Sequence, residues 1–150
     1  MIGLRTAVRI LVLDPASRLL LFEGRDLSDR RDTERFWFTA GGGVNDGETL
    51  TEAAERELSE ETGFHASALV GPFHQRDFTF MNHGEPQPQV EHYFATRTHT
   101  TDLATGGWTD LERRAVTAWR WWSADELATT ELTYFPENLG ELLRGATDLV

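Results

Sequence analysis

Apolar residues in this chain come in short blocks separated by polar or glycine-containing breaks, and the period within the blocks changes along the sequence. Residues 6–13 are rich in β-branched and aliphatic side chains and predict a strand. Asp14-Pro15-Ala16-Ser17 is a turn signal, and residues 19–23 return as a second strand, giving a hairpin. The polar, highly charged residues 24–35 predict a solvated loop, and Trp37-Phe38-Thr39 a short aromatic strand leading into Gly41-Gly42-Gly43. A helical period then takes over. Thr49 with Glu52 three residues on forms a capping box, and Gly63 after Thr62 is a stop signal, which predicts a helix over residues 50–62. Residues 68–73, 76–80 and 90–98 predict strands, with residues 81–88 as a loop because of Gly84, Pro86 and Pro88. Residues 118–122 predict another strand, Ser123 and Glu126 cap a short helix, and residues 132–144 contain a last helix after Pro136. This interspersed order predicts an α/β fold with a mixed sheet and helices on its faces.

The helix at residues 50–62 breaks the usual amphipathic rule. At roughly 100° per residue from Leu50, the side chains of Leu50, Ala53, Ala54 and Leu58 span an apolar arc from roughly −60° to +80°. Glu57 falls near roughly −20° and Glu61 near roughly +20°, inside that arc, with Glu60 beside it at roughly −80°. A solvated acidic helix would place its carboxylates on the opposite side. Like charges crowded toward a core are unfavourable unless a cation or protons offset them. An all-oxygen cluster lacking His and Cys suits a hard ion, Mg²⁺ or Mn²⁺. Gly42 and Gly43 lack side chains, so their backbone can approach a metal or phosphate closely, and Arg56 is placed to pair with Glu48, Glu52 or Glu60.

Composition narrows the picture further. The 150 residues fit one domain over 1–150, and the absence of Cys excludes both disulfides and thiolate metal sites. A net charge of −11 argues against a broad basic face for a nucleic acid polymer, but not against one small phosphorylated ligand bridged by metal. No apolar run approaches the roughly 18 residues that span a bilayer, so the expectation is a soluble, cytoplasmic protein with no membrane partner. His65, His74, His83, His92 and His99 show no close ligand spacing, which argues against zinc. Trp119, Trp121 and Trp122 are read as core packing with one exposed face, and Phe38, Phe78, Phe80 and Phe94 mostly as core. Arg5, Arg9 and Arg25 are candidates for phosphate contact that nothing in the sequence selects from the other arginines.

Residues 42–64, GGVNDGETLTEAAERELSEETGF, resemble the Nudix box, G-x5-E-x7-R-E-U-x-E-E-x-G-U with U aliphatic or aromatic. Gly42, Glu48, Arg56, Glu57, Leu58, Glu60, Glu61, Gly63 and Phe64 fill every fixed position. One departure is Ala40, which stands where a Pro often precedes the glycines. The resemblance implies a Nudix-type α/β/α sandwich and metal-dependent hydrolysis of a diphosphate linkage in a small nucleotide-like substrate, a nucleoside diphosphate derivative or a nucleoside triphosphate. By the same resemblance Glu57, Glu60, Glu61 and the Gly42 carbonyl ligate Mg²⁺ or Mn²⁺, while Arg56 and Glu48 orient them. Glu57 is the first choice for general base. A carboxylate outside the box often completes such sites, and here Glu91, in a strand, and Glu112, read as lying in a loop, are the candidates, with Glu112 preferred. A homodimer is common among proteins resembling this one.

Other readings compete with hydrolysis. A nucleotide-sensing domain of the same fold usually lacks box carboxylates, and all are present here. An isomerase of prenyl diphosphates would want a catalytic Cys, and there is none. Marks of substrate subfamilies outside the box are not evident, so the diphosphate itself stays open between nucleoside triphosphates and nucleotide-sugar types.

Overall fold

Strand β1 (Arg5–Leu13) organises the molecule because both of its edges and both of its faces are used. It pairs in parallel with β6 (Glu85–Arg97), from Arg5↔Gln89 to Leu13↔Arg97, and antiparallel with the glycine strand β4 (Ala40–Gly43). Side-chain alternation sends Val8, Ile10 and Val12 to one face, where Ala53, Ala54 and Leu58 of helix α1 (Leu50–Thr62) cover them. Leu11 and Leu13 point the other way, against Leu139, Leu142 and Leu143 of helix α4 (Leu139–Leu149). This is the expected α/β/α sandwich. Leu58 is fully buried in the α1 layer, and truncating it to Ala should destabilise the fold by about 2–5 kcal/mol.

The computed structural model describes residues 3–25, 31–32, 34–65, 68–82 and 84–150. Of the stretch predicted as a charged loop over 24–35, residues 26–30 and 33 lie outside the described residues, as does His83 among the histidines. Strand β2 (Leu19–Gly24) shares only the pair Leu13↔Leu19 with β1 and then diverges from it. It pairs instead with β3 (Phe36–Phe38) and β7 (Val116–Trp122), and β3 pairs in parallel with β8 (Tyr134–Phe135). Outside β6 lies β5 (Val70–Asn82). The divergence of the first hairpin opens a cleft between the β1–β6–β5 and β2–β3–β8 parts of the sheet. Two short helices, α2 (Asp110–Ala115) and α3 (Ala124–Thr129), flank β7, each opened by a complete capping box. Among the described residues no helix is long and apolar enough to cross a membrane.

Three expectations need correction. The residues read as a loop over 81–88 belong to a long hairpin whose strands turn between Asn82 and Glu85. Pro86 and Pro88 are tolerated because β6 pairs with β1 only from Gln89 onward, leaving that edge free of a partner before it. The segments 68–73 and 76–80, read as two strands, are one strand from Val70, with an irregular register between Val70 and His74. Glu112 does not sit in a loop: it is the third residue of α2, capped by Thr109.

Candidate functional site

The box helix is fixed at both ends by local chemistry. Thr49 Oγ1 accepts from the Glu52 amide at 3.1 Å and Glu52 Oε1 from the Thr49 amide at 3.0 Å, reciprocal bonds whose loss would destabilise by about 1 kcal/mol. Gly63 closes the last turn at φ 76°, with its N–H donating to the Ser59 carbonyl at 3.0 Å. Between these ends Glu57 is buried at 9 % exposure, while Glu60 is exposed and Glu61 half-buried. The angular reading of the sequence therefore holds for Glu57 and Glu61.

Glycines make the approach to these carboxylates possible. A Cβ on Gly42 would lie 2.5 Å from Glu57 Oε1, so the Glu57 carboxylate rests directly on the Gly42 backbone. The Gly41 amide donates to Glu61 Oε2 at 3.0 Å. Arg56 ties the rest together. It forks onto Glu48 (Nε to Oε2 2.7 Å, Nη2 to Oε1 2.9 Å), donates to the Gly43 carbonyl at 2.9 Å, and reaches Glu57 Oε1 at 2.9 Å and Glu60 Oε2 at 3.4 Å. Of its three sequence candidates it takes Glu48 and Glu60, because Glu52 is engaged in the capping box. The Arg56 hydrogen bonds and the Asn45 amide hold the Glu48 carboxyl down to about 2.

Glu57 and Glu61 shift the opposite way. Burial pushes both upward; for Glu57 this outweighs Arg56, with Glu60 and Glu112 adding repulsion. Glu61 is raised well above the ordinary range, mainly by burial, against the Gly41 amide, with Glu57 and Glu112 adding repulsion. Glu112 thus belongs to the same electrostatic neighbourhood as the two inward box carboxylates. Its helix is carried there by a strap over the end of α1: Ala104 N–H donates to the Thr62 carbonyl at 2.9 Å and Trp108 Nε1 to the Glu61 carbonyl at 2.8 Å. Gly107 lies so close that a Cβ there would meet the Glu60 carbonyl at 2.7 Å.

Hard oxygen donors, mutual repulsion and a backbone open to close approach make this a place where a divalent cation fits. Among the described residues, no three His, Asp or Glu side chains already converge as ligands, since Glu57 and Glu60 face Arg56 and Glu61 faces the Gly41 amide.

Glu91 sits apart from this cluster. It is 3 % exposed and accepts from Arg9 Nε (2.8 Å), Gln89 Nε2 (3.1 Å), Tyr93 Oη (2.9 Å) and Arg76 Nη1 (3.3 Å). Burial works against its charge, but Arg9, Tyr93 and Arg76 hold its carboxyl below the usual range. These groups floor a cavity of about 610 Å³ in the cleft, within the size range of small-molecule sites. Phe36, Phe38, Phe78, Phe80 and Phe135 supply its apolar wall, and Arg5 and Arg25 also line it. Only Phe94 of the four phenylalanines read mainly as core is core, at 1 % exposure; Phe38, Phe78 and Phe80 face the cavity.

Arg5, Arg9 and Arg25 thus line one cavity, together with Arg76, Gln89 and Tyr93, which the sequence reading did not single out. A signal existed. Arg76, Phe78 and Phe80 alternate with the exposed Gln75, Asp77 and Thr79 along β5, but choosing the cavity face requires knowing the pairing with β6.

A domain model described as NUDIX domain matches residues 3–144. A Bacillus subtilis protein provisionally named an 8-oxo-dGTP diphosphatase is 34% identical over 76 residues, 49% of this chain and 46% of that one, so the match spans less than half of that relative. An RNA pyrophosphohydrolase of Wolbachia (Drosophila simulans strain wRi) is 24% identical over 140 residues, 82% of each chain. The crystal structure of a MutT protein from Methanosarcina mazei superposes with a TM-score of 0.69 at 18% identity, covering 99% of this chain and 96% of that one, a likeness of fold. With a complete box on the helix where the fold requires it and a domain model spanning nearly the whole chain, the protein belongs to the Nudix hydrolase family.

Proposed function

We propose that the chain hydrolyses a diphosphate linkage in a nucleoside diphosphate derivative or nucleoside triphosphate, using Mg²⁺ or Mn²⁺ held by Glu57, Glu60, Glu61 and the Gly42 carbonyl. The observation that carries this reading is the pair of inward carboxylates, Glu57 and Glu61, raised by burial and joined by the charge of Glu112, beside an arginine- and phenylalanine-lined cavity. Metal bound there would neutralise the diphosphate and lower the pKa of a water positioned for in-line attack on phosphorus.

The chain's own residues supply the rest. Glu57 is the first choice to take a proton as attack proceeds, and Glu112, whose charge reaches Glu57, is the candidate to share that task or complete the cation's ligands. Arg56 fixes the Glu57 carboxylate over Gly42 and is itself fixed by Glu48. The cavity takes the nucleoside, its phenylalanines excluding water from one flank of the reacting phosphates. The relatives' names, 8-oxo-dGTP diphosphatase and RNA pyrophosphohydrolase, share the cleavage of a diphosphate linkage, and the first names a nucleoside triphosphate.

A product assay tests the proposal. Nucleoside triphosphates, 8-oxo-dGTP, nucleotide sugars, ADP-ribose, dinucleoside polyphosphates and 5′-triphosphorylated RNA would be offered in Mg²⁺ and in Mn²⁺ to wild type and Glu57→Gln. Metal-dependent release of a nucleotide product by wild type alone is the expected result. Silence across the panel with Mn²⁺ still bound would favour the nucleotide-sensing reading instead.

A further inference from the structure

Arg5 stands where the box and the cavity meet. It lines the cavity, and it also lines the groove formed by Gly43, Asn45 and Glu48 at the start of the box. A Cβ on Gly43 would lie 3.3 Å from Arg5 Nη2, so its guanidinium rests against the glycine strand. A substrate with its diphosphate at the box carboxylates and its nucleoside among the phenylalanines would span the stretch of β1 that carries Arg5 and Arg9.

Arg5 also differs from its neighbours in what it is paired with. Arg9 and Arg76 share Glu91, and Arg25 pairs with Asp32. Among the described residues no carboxylate lies within ion-pair distance of Arg5; its Nη1 donates to the side-chain oxygen of Gln89. Gln89 is 3 % exposed, and its Nε2 donates to Glu91 Oε2 at 3.1 Å. Its orientation is forced by chemistry: guanidinium can only donate and carboxylate can only accept, so the amide oxygen must face Arg5 and the amide nitrogen Glu91. The neutral amide therefore anchors Arg5 without cancelling its charge. A directly paired carboxylate would anchor it equally well but offset the charge that attracts an anionic ligand. Two faces of the chain thus hold opposite halves of a phosphate site: cation-seeking carboxylates on one side of Gly42, and beside Gly43 a positioned cation that feels Glu91 and Glu57 only at a distance.

We propose that Arg5 is a metal-independent ligand for the phosphate that stays on the nucleoside, a specificity-determining contact that favours a nucleoside monophosphate over the bare nucleoside in the cavity. This rests on the nucleotide-hydrolase reading above, and it concerns a contact that reading does not require. Arg5 presents the fork geometry suited to two phosphate oxygens, and the adjacent aromatic walls hold the base that the phosphate is attached to.

The test is binding without metal. The four ribonucleoside monophosphates, their nucleosides and inorganic phosphate would be titrated into wild type, Arg5→Gln and Arg5→Lys in EDTA by calorimetry. Wild type should bind at least one monophosphate about tenfold or more tightly than its nucleoside; Arg5→Gln should lose that ratio, and Arg5→Lys should recover part of it. Nucleoside affinity and thermal midpoint should be the same in all three, which a merely structural Arg5 would not satisfy. Inorganic phosphate binding as tightly as the monophosphate would overturn the contribution of the nucleoside. Equal affinity of monophosphate and nucleoside, undetectable binding of both, or an unchanged ratio in Arg5→Gln would each overturn the proposal. The hydrolysis assay in Mg²⁺ is scored separately, so turnover with no Arg5 effect would leave the enzyme reading standing and remove this one.

Discussion

The two faces of strand β4 carry opposite charge imbalances. Gly42 faces α1, where Glu57 and Glu60 pair with Arg56, and Glu57 and Glu61 feel the further negative charge of Glu112. Gly41 and Gly43, one residue to either side, face β1 and meet Arg9 and Arg5, and on that side Glu91 is the carboxylate shared by two arginines. A chain with a net charge of −11 has thus placed a locally cationic floor one strand away from its densest buried carboxylates. The difference teaches how an acidic protein can handle a polyanion. One face recruits the positive charge it lacks, and the other supplies its own. The glycines are what keep the two faces a few ångströms apart, since a side chain at Gly42 would fill the space in which Glu57 lies and one at Gly41 would run into Val8 and Arg9.

The largest expected effects test the carboxylate face. Glu57→Gln keeps the shape of the side chain but removes its charge and basicity, and should cut kcat by about 10³-fold with little change in thermal midpoint. Glu61→Gln should act likewise, and both should weaken Mn²⁺ binding measured by electron paramagnetic resonance. Retention of full turnover in both variants would show that the acidic face is only a structural feature.

A sharper comparison comes from neighbouring glycines. In Gly42→Ala the new methyl would sit 2.5 Å from Glu57 Oε1, the end of a side chain that can move aside. The fold should survive while the displaced carboxylate lowers kcat by about 100-fold. In Gly41→Ala the methyl would meet the Val8 carbonyl at 2.1 Å, at a φ of 144° that L-residues rarely adopt. That clash is with backbone, so this variant should lose on the order of 2 kcal/mol of stability or more. Kinetics and urea unfolding on both proteins would check the contrast; equal stability loss in the two would mean the faces are not separable.

Glu91→Gln tests the arginine face. The buried carboxylate now serves four donors, and a neutral amide would leave Arg9 and Arg76 with excess charge in a partly desolvated place. Destabilisation of about 3 kcal/mol is expected, read as a lower urea midpoint with unchanged slope. Metal affinity at the box should hardly move, because Glu91 has no contact with the box carboxylates.

These two faces were not equally legible in the sequence. The carboxylate face is built almost wholly from one continuous stretch: cap, helix period, stop and box lie within residues 42–64, so short-range rules suffice to find them. The same capping rule would have found α2, since Thr109 and Glu112 repeat the pattern of Thr49 and Glu52. The arginine face depends on β1 lying parallel to β6 across more than 80 residues of sequence, which sets Arg5 beside Gln89 and Ala7 beside Glu91. Nothing local fixes that register, and a slip of one residue would send every one of these groups to the other face. The prolines in the hairpin misled for a related reason: whether a strand tolerates Pro depends on which edge is unpaired, and only the tertiary pairing decides that.

The smallest expected effect concerns Arg56 on the acidic face. Glu48 holds Arg56 bidentately, and its carboxyl is depressed from 4.5 to about 2. A depressed carboxylate stabilises the folded state fully above its ordinary value and loses that contribution as pH falls through the folded one. Wild type should therefore exceed Glu48→Gln in urea midpoint at pH 7, with the gap closing between pH 4.5 and about 2. The difference should be small, because the pair is close to solvent. A second consequence separates anchoring from stability. In Glu48→Gln the amide oxygen can keep only one of the two fork bonds, and Arg56 can turn further toward Glu57 and Glu60, which it already touches at 2.9 and 3.4 Å. The acidic face would then be neutralised from within, and the variant should need more Mg²⁺ for half-maximal turnover even at pH 7. If the metal requirement stays fixed while the acid window changes, Glu48 contributes to the fold alone, and the charge imbalance of that face does not depend on how Arg56 is held.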